Sequence, residues 1–384
     1  MPVSARNRAV FFANDFPPVA SGIATAFLNL CRRLPPERIL VIAPRMPGDR
    51  EVDAGLPFPV RRIRIPTGEG SVSKRLKTGV TLLHALKMAA LERPSRLHCG
   101  QVLSSGVAGW ACQRLFGVPY VIYVYGSESI RWGGGRTGGW MRRALGESGR
   151  VVTNSDATSE EFRSFGVPEE KLMRVYPGVD PRRFRPGPKD PDLLRRYDLD
   201  GKRVILTVAR LDQRKGHDVV LRALARLDAP DVVYLIAGRG REEARLRALA
   251  GACGVADRVR FAGFIPEADL AGVYNLCDVF AMPNRVTEGT ALAGDVEGFG
   301  ISFVEAGACG KPVVAGRSGG AVEAVLDGET GLLVDPRSDQ ETAEAIQRLL
   351  EDPAEARRLG EAGRRRAEAL FDWDALARQV EAIL

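Results

Sequence analysis

The sequence predicts an α/β protein built from two doubly wound domains. Short apolar runs rich in β-branched residues alternate with amphipathic segments along most of its 384 residues. Unbroken apolar strands separated by helices are typical of parallel sheets that are covered on both faces. The alternation restarts near Lys202, after the proline- and charge-rich stretch 184–202. We therefore place a domain boundary in this stretch.

The strand pattern occurs on both sides of this boundary. Before it lie AVFFAN, RILVIAP, YVIYVYG and RVVTNS, and after it lie RVILTVAR, VVYLIAG, RVRFAGF, DVFAMP and KPVVAG. The expected division is 1–185 for an N-terminal Rossmann-like domain, 186–201 for a linker and 202–365 for a C-terminal Rossmann-like domain. The final segment 366–384 ends in the amphipathic FDWDALARQVEAIL, and we expect this helix to pack back on the N-terminal domain.

Composition excludes several classes of protein. Apolar residues make up 45% and charged residues 27%, which is ordinary for a globular protein with real cores. The six cysteines include no C-x-x-C pair and the histidines number three, so we expect no disulfide framework and no metal site. No apolar run is long enough to predict a membrane span. The strand-like start predicts no signal peptide, and we expect a cytoplasmic protein.

The net charge of +7 is concentrated between Arg61 and His98, a stretch that contains nine Lys and Arg residues but only two acidic residues. SKRLKTGVTLLHALKMAALERP within this stretch predicts a basic amphipathic helix. Such a surface suits an anionic membrane or a phosphate-rich partner, and a solvated helix face is the alternative. Nucleic acid is not expected, because no binding motif accompanies the charges. The apolar stripe is Leu82, Leu83, Leu86 and Ala90, and the flanking cations are Lys74, Arg75, Lys77 and Lys87.

Loops that follow the strands are the candidate ligand sites, because doubly wound sheets bind ligands beyond the carboxyl ends of their strands. NDFPPVASG leads into a helix, and Gly22 at its entrance would let a ligand approach backbone amides. A purely structural glycine is the alternative. IAGRG contains Gly238 and Gly240, but Glu243 stands where a dinucleotide fingerprint needs its third glycine.

Two cations and two glutamates carry the strongest chemical signal. TVARLDQRKG places Arg210 at a strand end and Lys215 in the next loop, where both could hold a diphosphate. An exposed charge pair is the alternative. EGFGISFVE places Glu297 before a glycine turn and Glu305 inside an apolar helix. A buried glutamate needs a partner, so Glu305 either accepts the hydroxyls of a ribose or belongs to a buried ion pair.

These motifs resemble the retaining glycosyltransferases of family 4, which have the GT-B fold. The spacing of Glu297 and Glu305 is the signature of that family, and further motifs follow in order along nearly the whole chain. They are PPVASG, NSDATSEEF, YPGVDPRRF, ARLDQRKG, GVADRVRFAGF, MPNR and GGAVEAVLDGETGLLV. Within the family the sequence is most similar to bacterial phosphatidylinositol mannosyltransferases. The resemblance implies two Rossmann-like domains that face each other across a cleft.

The resemblance also implies roles for individual residues. Glu297, Arg210 and Lys215 would be catalytic, with the cations on the diphosphate and Glu297 on the donor sugar. Tyr125 stands where the family often has histidine, while Gly126 and Glu128 match, so Tyr125 and Glu128 are candidate contacts to the sugar or acceptor. The expected donor-binding residues are Gly22, Gly238, Phe264, Ile265, Phe299, Gly300, Ile301 and Glu305, with segment 263–266 along the base and Glu305 on the ribose.

The expected activity is transfer of a hexose to a lipid-linked or glycan acceptor at the inner face of the membrane. Mannose is the favoured hexose and GDP-mannose the favoured donor. Retention of configuration, with no metal or other cofactor, is expected from the resemblance. FIPEADL places Glu267 and Asp269 near the expected base, where a carboxylate could accept the N–H donors of guanine. The alternatives are a UDP-sugar-dependent transferase with a soluble acceptor, a UDP-sugar 2-epimerase of the same fold, and a non-catalytic nucleotide-sugar-binding protein.

Overall fold

A computed structural model describes residues 5–19, 21–65, 71–287 and 294–384, without the side chains of 71–75. The chain divides into two compact units. Unit 1 comprises Met1–Pro177 together with Trp373–Leu384, and unit 2 comprises Gly178–Asp372.

The described residues of unit 1 form a seven-stranded parallel sheet with helices on both faces. The strands are β1 (Ala9–Phe12), β2 (Ile39–Pro44), β3 (Val60–Ile63), β4 (Arg96–Cys99), β5 (Tyr120–Val124), β6 (Arg150–Thr153) and β7 (Leu172–Arg174). Their spatial order is β3-β2-β1-β4-β5-β6-β7. The helices are α1 (Gly22–Cys31), α2 (Asp49–Ala54), α3 (Ser71–Glu92), α4 (Val107–Phe116), α5 (Glu128–Trp132), α6 (Gly135–Glu147), α7 (Asp156–Ser164) and, from the chain end, α16 (Trp373–Glu381).

Unit 1 has a hydrophobic core on each face of its sheet, because neighbouring residues of a strand point to opposite faces. Val10 and Phe12 face the core that α3, α4 and α6 cover, and Phe11 faces the core under α1 and α16. Helix α16 packs against α1, and just after α1 the Arg33 Nε lies 2.7 Å from an Asp374 carboxylate oxygen.

The described residues of unit 2 form a six-stranded parallel sheet in the order β10-β9-β8-β11-β12-β13. The strands are β8 (Arg203–Val208), β9 (Val232–Ala237), β10 (Val259–Gly263), β11 (Val279–Met282), β12 (Val313–Gly316) and β13 (Leu332–Val334). The helices are α8 (Pro191–Arg196), α9 (His217–Arg226), α10 (Glu243–Ala252), α11 (Leu270–Leu276), α12 (Ile301–Ala308), α13 (Ala321–Ala324), α14 (Asp339–Glu351) and α15 (Pro353–Leu370). The two doubly wound parallel sheets that the sequence predicts are thereby confirmed.

The segment expected to be a linker, 186–201, contains α8 and lies within unit 2. Asp190 caps this helix by accepting from the amides of Asp192 and Leu193. Leu193 is buried, which attaches the segment to the unit. The chain passes from unit 1 to unit 2 after Pro177 and returns after Asp372.

The strand order identifies where ligands are expected in each unit. In unit 1 the chain winds outward in both directions from β1 and β4, and in unit 2 it does so from β8 and β11. Open α/β sheets bind ligands at such switch points, beyond the carboxyl ends of the two strands. The loops after β8 and β11 are therefore the first place to examine in unit 2.

Candidate functional site

A buried ion pair occupies the switch point of unit 2. Lys215, in the turn after β8, donates from Nζ to Oε2 of Glu297, and each side chain is 10% exposed. Arg214 Nη1 lies 3.5 Å from the same carboxylate oxygen. Burial alone would raise the pKa of Glu297, but the ammonium and guanidinium beside it outweigh burial and lower this pKa. Glu297 is therefore a carboxylate with two cations on one oxygen.

Two glycines after β12 support the backbone that carries Glu297. The amide of Gly320 donates to the Glu297 carbonyl at 2.9 Å. Gly319 has a φ of +58°, and a side chain at either glycine would overlap the backbone of residues 297–299 or Val296. Sequence reasoning assigned no role to these glycines or to Arg214. Two features of the sequence could have pointed to these residues, namely the paired glycines of GGAVEAV and the cation directly before Lys215.

Arg210 lies in the loop just after β8 and extends into solvent. Its side chain is 62% exposed, and Nη2 is 3.1 Å from a carboxylate oxygen of Asp212. The His217 ring anchors the local backbone, since Nε2 lies 3.2 Å from the Arg210 carbonyl oxygen and Nδ1 lies 3.0 Å from the Tyr234 hydroxyl. Burial lowers the pKa of His217 to about 4, so this histidine is neutral near pH 7. Arg210 is thus an exposed cation whose backbone carbonyl is held by the buried His217 ring.

Gly238, at the end of β9, lies directly beside the start of the Arg210 loop. Its φ is +144°, and a side chain there would overlap the Ala209 carbonyl. Its amide donates to the Gly263 carbonyl at 2.7 Å, which ties it to the end of β10. The predicted donor residue Gly238 therefore permits close packing of two loops at the carboxyl edge of the sheet.

Glu305 lies in α12, whose first turn begins at the predicted residues Gly300 and Ile301. Gly300 caps the helix with a φ of +91°, and the preceding Phe299 is buried with its ring 5.3 Å from that of Phe371. The Tyr274 hydroxyl donates to Oε2 of Glu305 at 2.6 Å. Burial raises the pKa of Glu305 to about 7, although the tyrosine hydrogen bond opposes this shift.

The loop after β10 holds the residues predicted to line the base. Phe264 is 55% exposed and Ile265 is buried. Both acidic residues near the expected base form ion pairs: Glu267 pairs with Arg183, and Asp269 pairs with Arg196 at 2.8 Å. Their contact with a guanine stays a prediction. These ionic partners come from distant parts of the chain, so the local sequence did not reveal them.

The predicted residues of unit 1 lie at the carboxyl edge of its sheet. Glu128, in the turn after β5, accepts the Tyr125 amide on Oε1 at 2.8 Å. Within the described residues, the buried Tyr125 hydroxyl and Glu128 Oε2 have no hydrogen-bond partner. Gly22 is the exposed first residue of α1, and Ser21 caps this helix by accepting the Ala24 amide at 3.1 Å. Ser21 thus has a structural role as the N-cap of α1.

Comparison with known families covers most of the chain. Residues 192–366 match the model "Glycosyl transferases group 1", and residues 20–183 match "Glycosyltransferase Family 4". A GDP-mannose-dependent alpha-(1-6)-phosphatidylinositol monomannoside mannosyltransferase of Mycolicibacterium smegmatis is 36% identical over 94% of each chain. A GDP-mannose-dependent enzyme of Corynebacterium glutamicum, named for the monoacylated form of that acceptor, is 31% identical over 100% of this chain and 99% of its own.

Solved structures show the same fold. HepE of Anabaena, in complex with UDP and glucose, aligns with a TM-score of 0.83 at 22% identity, over 98% of this chain and 99% of its own. Sucrose-phosphate synthase of Thermosynechococcus elongatus aligns with a TM-score of 0.79 at 22% identity, over 98% of both chains. At such identities the likeness establishes the fold alone, and it confirms the GT-B class that the sequence predicts.

Proposed function

The chain belongs to the glycosyltransferases of group 1 and family 4, and on this premise we propose that it transfers mannose from GDP-mannose to a phosphatidylinositol mannoside. The named activities of its relatives, similar over nearly the full chain, support the donor and the acceptor. The observation that carries the proposal is the Lys215–Glu297 pair beside the accessible Arg210 at the switch point of unit 2. This arrangement offers cations to a diphosphate and a carboxylate to a sugar hydroxyl.

In the proposed reaction the bond between mannose C1 and the diphosphate oxygen breaks as C1 bonds to the acceptor oxygen on the same face. Configuration is retained because the acceptor attacks the face from which the diphosphate leaves, and the acceptor proton passes to the departing phosphate oxygen. Arg210 and Lys215 stabilise the negative charge that develops on the diphosphate. They supply the charge that a metal ion provides elsewhere, and we therefore propose a metal-independent reaction. Glu297 accepts from a mannose hydroxyl, and Glu305 accepts from the ribose.

The test is transfer of radiolabelled mannose by the purified full chain, with GDP-mannose as donor and phosphatidylinositol monomannoside in detergent as acceptor. We expect a labelled dimannoside, an unchanged rate in EDTA, and a larger thermal shift with GDP than with UDP. Stronger stabilisation by UDP would contradict the donor. Loss of transfer in EDTA, restored by Mg²⁺ or Mn²⁺, would contradict the metal-independent reaction.

Helix α3 differs from the expected uniform apolar stripe. Leu82 and Leu86 pack against the core, whereas Leu83 is 66% exposed and Ala90 is also exposed. For Leu83 the cause is helical geometry, because positions four apart share a face and adjacent positions do not. The Lys74 and Arg75 side chains lie outside the described residues. Three predicted surface cations instead have internal partners: Arg61 binds Glu92, Arg62 binds Asp53, and Arg96 donates to the Ile383 carbonyl.

We propose that the outer face of α3 binds an anionic membrane surface peripherally. Leu76 and Leu91 join Leu83 as exposed apolar residues on this helix, and Lys87 is exposed among them. Helix α4 packs beside α3 and adds exposed Leu115 and Phe116. Apolar side chains interleaved with cations are the pattern of interfacial helices. None of the described helices has both the length and the apolarity required to cross a bilayer.

Charge reversal tests this surface. Lys77→Glu with Lys87→Glu should weaken binding to vesicles containing anionic lipid at least tenfold, since each cation near such a surface contributes about 1 kcal/mol. Binding of the native protein should fall with salt. Lys202→Glu with Arg357→Glu makes the same charge change on unit 2 and should have no such effect. Equal flotation of the two double variants would contradict the proposal.

A further inference from the structure

The turn between β5 and α5 has an unusual backbone. Gly126 has a φ of +96° and the next residue, Ser127, has a φ of +67°. Glycine adopts such values freely, whereas a serine there is strained unless its surroundings hold it. Ser127 is buried, with 2% of its surface exposed. Some other group must therefore stabilise this turn.

Glu161 of α7 supplies that stabilisation. Its Oε2 accepts the Ser127 amide at 2.7 Å, and its Oε1 accepts the Ser129 amide at 3.1 Å. The Ser129 hydroxyl also donates to Oε1. A carboxylate is the side chain that can accept several donors at once without offering a proton. Both of its oxygens thus bind the strained turn.

Within the described residues, this turn contains two buried side-chain oxygens that have no hydrogen-bond partner, the Tyr125 hydroxyl and Glu128 Oε2. Buried polar atoms without a partner are costly, and they are satisfied when a ligand supplies the missing hydrogen bonds. Burial raises the pKa of Glu128 to about 8, and the charge of Glu161 adds to the effect. Near pH 7 Glu128 is therefore mostly a neutral acid, able to donate from Oε2 to a hydroxyl oxygen.

We infer that Glu161 is a positioning residue that holds the 125–129 turn so that Tyr125 and Glu128 bind a hydroxyl of the acceptor sugar. The inference rests on the proposed function, because it takes the acceptor to be a polyhydroxyl headgroup. Glu161 itself touches no substrate in this scheme. It acts through the amides of Ser127 and Ser129.

The chain contains a matched control in the adjacent residue. Glu160 is of the same type on the same helix, but its side chain is 64% exposed and it contacts Arg163 and Ser164 of its own helix. Glu161→Gln should raise the KM for phosphatidylinositol monomannoside at least tenfold, while the Kd for GDP stays within twofold of the native value. Glu160→Gln should change neither constant.

A second variant separates positioning from general stability. Ser127→Gly removes the strain that Glu161 offsets, so adding it to Glu161→Gln should lower the acceptor KM again by about fivefold. If the native protein transfers mannose and Glu161→Gln keeps its acceptor KM, the inference is overturned while the proposed function stands. It is also overturned if the Kd for GDP rises in parallel, since the damage is then global.

Hydrogen exchange gives a readout that does not depend on the acceptor. Amides of residues 125–132 should exchange at least tenfold faster in full-length Glu161→Gln than in Glu160→Gln. Equal exchange in the two variants overturns the inference, even if transfer assays show that the acceptor belongs to another class.

Discussion

We expect replacement of Lys215 by methionine to lower mannose transfer sharply, and we expect the additional change Glu297→Gln to restore stability without restoring activity. In the Lys215→Met variant the buried Glu297 carboxylate loses its lysine partner. Among the described residues, Arg214 at 3.5 Å is then the cation left within ion-pair distance. Removing one partner of a buried ion pair costs about 3–5 kcal/mol, whereas removing both charges is often nearly neutral. Transfer should fall about 10²- to 10³-fold in both variants, because the cation that stabilises the leaving diphosphate is absent.

Urea unfolding and initial transfer rates of the full chain check this result. Lys311→Met is the matched control, because Lys311 is a lysine of the same unit that donates to the carbonyls of Asn275 and Cys277, each at 3.0 Å. It should lose stability yet keep the rate per folded molecule. A Lys215→Met/Glu297→Gln protein that transfers mannose at more than a tenth of the native rate would refute the assignment of these two residues.

Most of the strands that could be predicted from the sequence are long apolar runs. Strands β3, β7 and β13 were not predicted, because each lies at a sheet edge and has only three or four residues. Strand β4 escaped for another reason. Its His98 is fully buried, with the ring stacked 4.2 Å from that of Phe11 and Nδ1 2.9 Å from the Tyr123 hydroxyl. Such a residue is read as polar until its tertiary partners are known.

For the site, the sequence indicated which residues carry the chemistry but not which of them pair. Lys215 and Glu297 were each proposed from local motifs, but they are 82 positions apart. Their pairing depends on β8 and β11 being neighbours, which a single sequence does not state. Glu161 could not be assigned at all, because its role depends on the positive φ of Ser127. Propensity and spacing thus identify chemical groups, while strand order decides which groups meet.

The affinity for GDP should fall as the pH drops below 7, because the ribose hydroxyls need Glu305 as a carboxylate. Glu305 has a pKa of about 7 in the free protein, and protonation turns one acceptor oxygen into a donor. Binding therefore releases a proton below this pH, and the Kd rises by up to about tenfold per pH unit. At pH 8 Glu305→Gln should weaken GDP binding about 10- to 100-fold, because the variant loses the hydrogen bonds that the ribose hydroxyls donate to a charged carboxylate.

Tyr274→Phe gives the sharper form of the same test. The Tyr274 hydroxyl lowers the pKa of Glu305 through its hydrogen bond, so its removal should move the break in GDP affinity to higher pH. The phosphate of GDP titrates in the same range, but it does so in every variant. His217 does not interfere, since its pKa lies near 4. Calorimetry from pH 6 to 9 should therefore show a break due to Glu305 that shifts upward in Tyr274→Phe and is lost in Glu305→Gln, where only the phosphate titration is left. An identical pH profile in all three proteins would show that Glu305 does not bind the nucleotide.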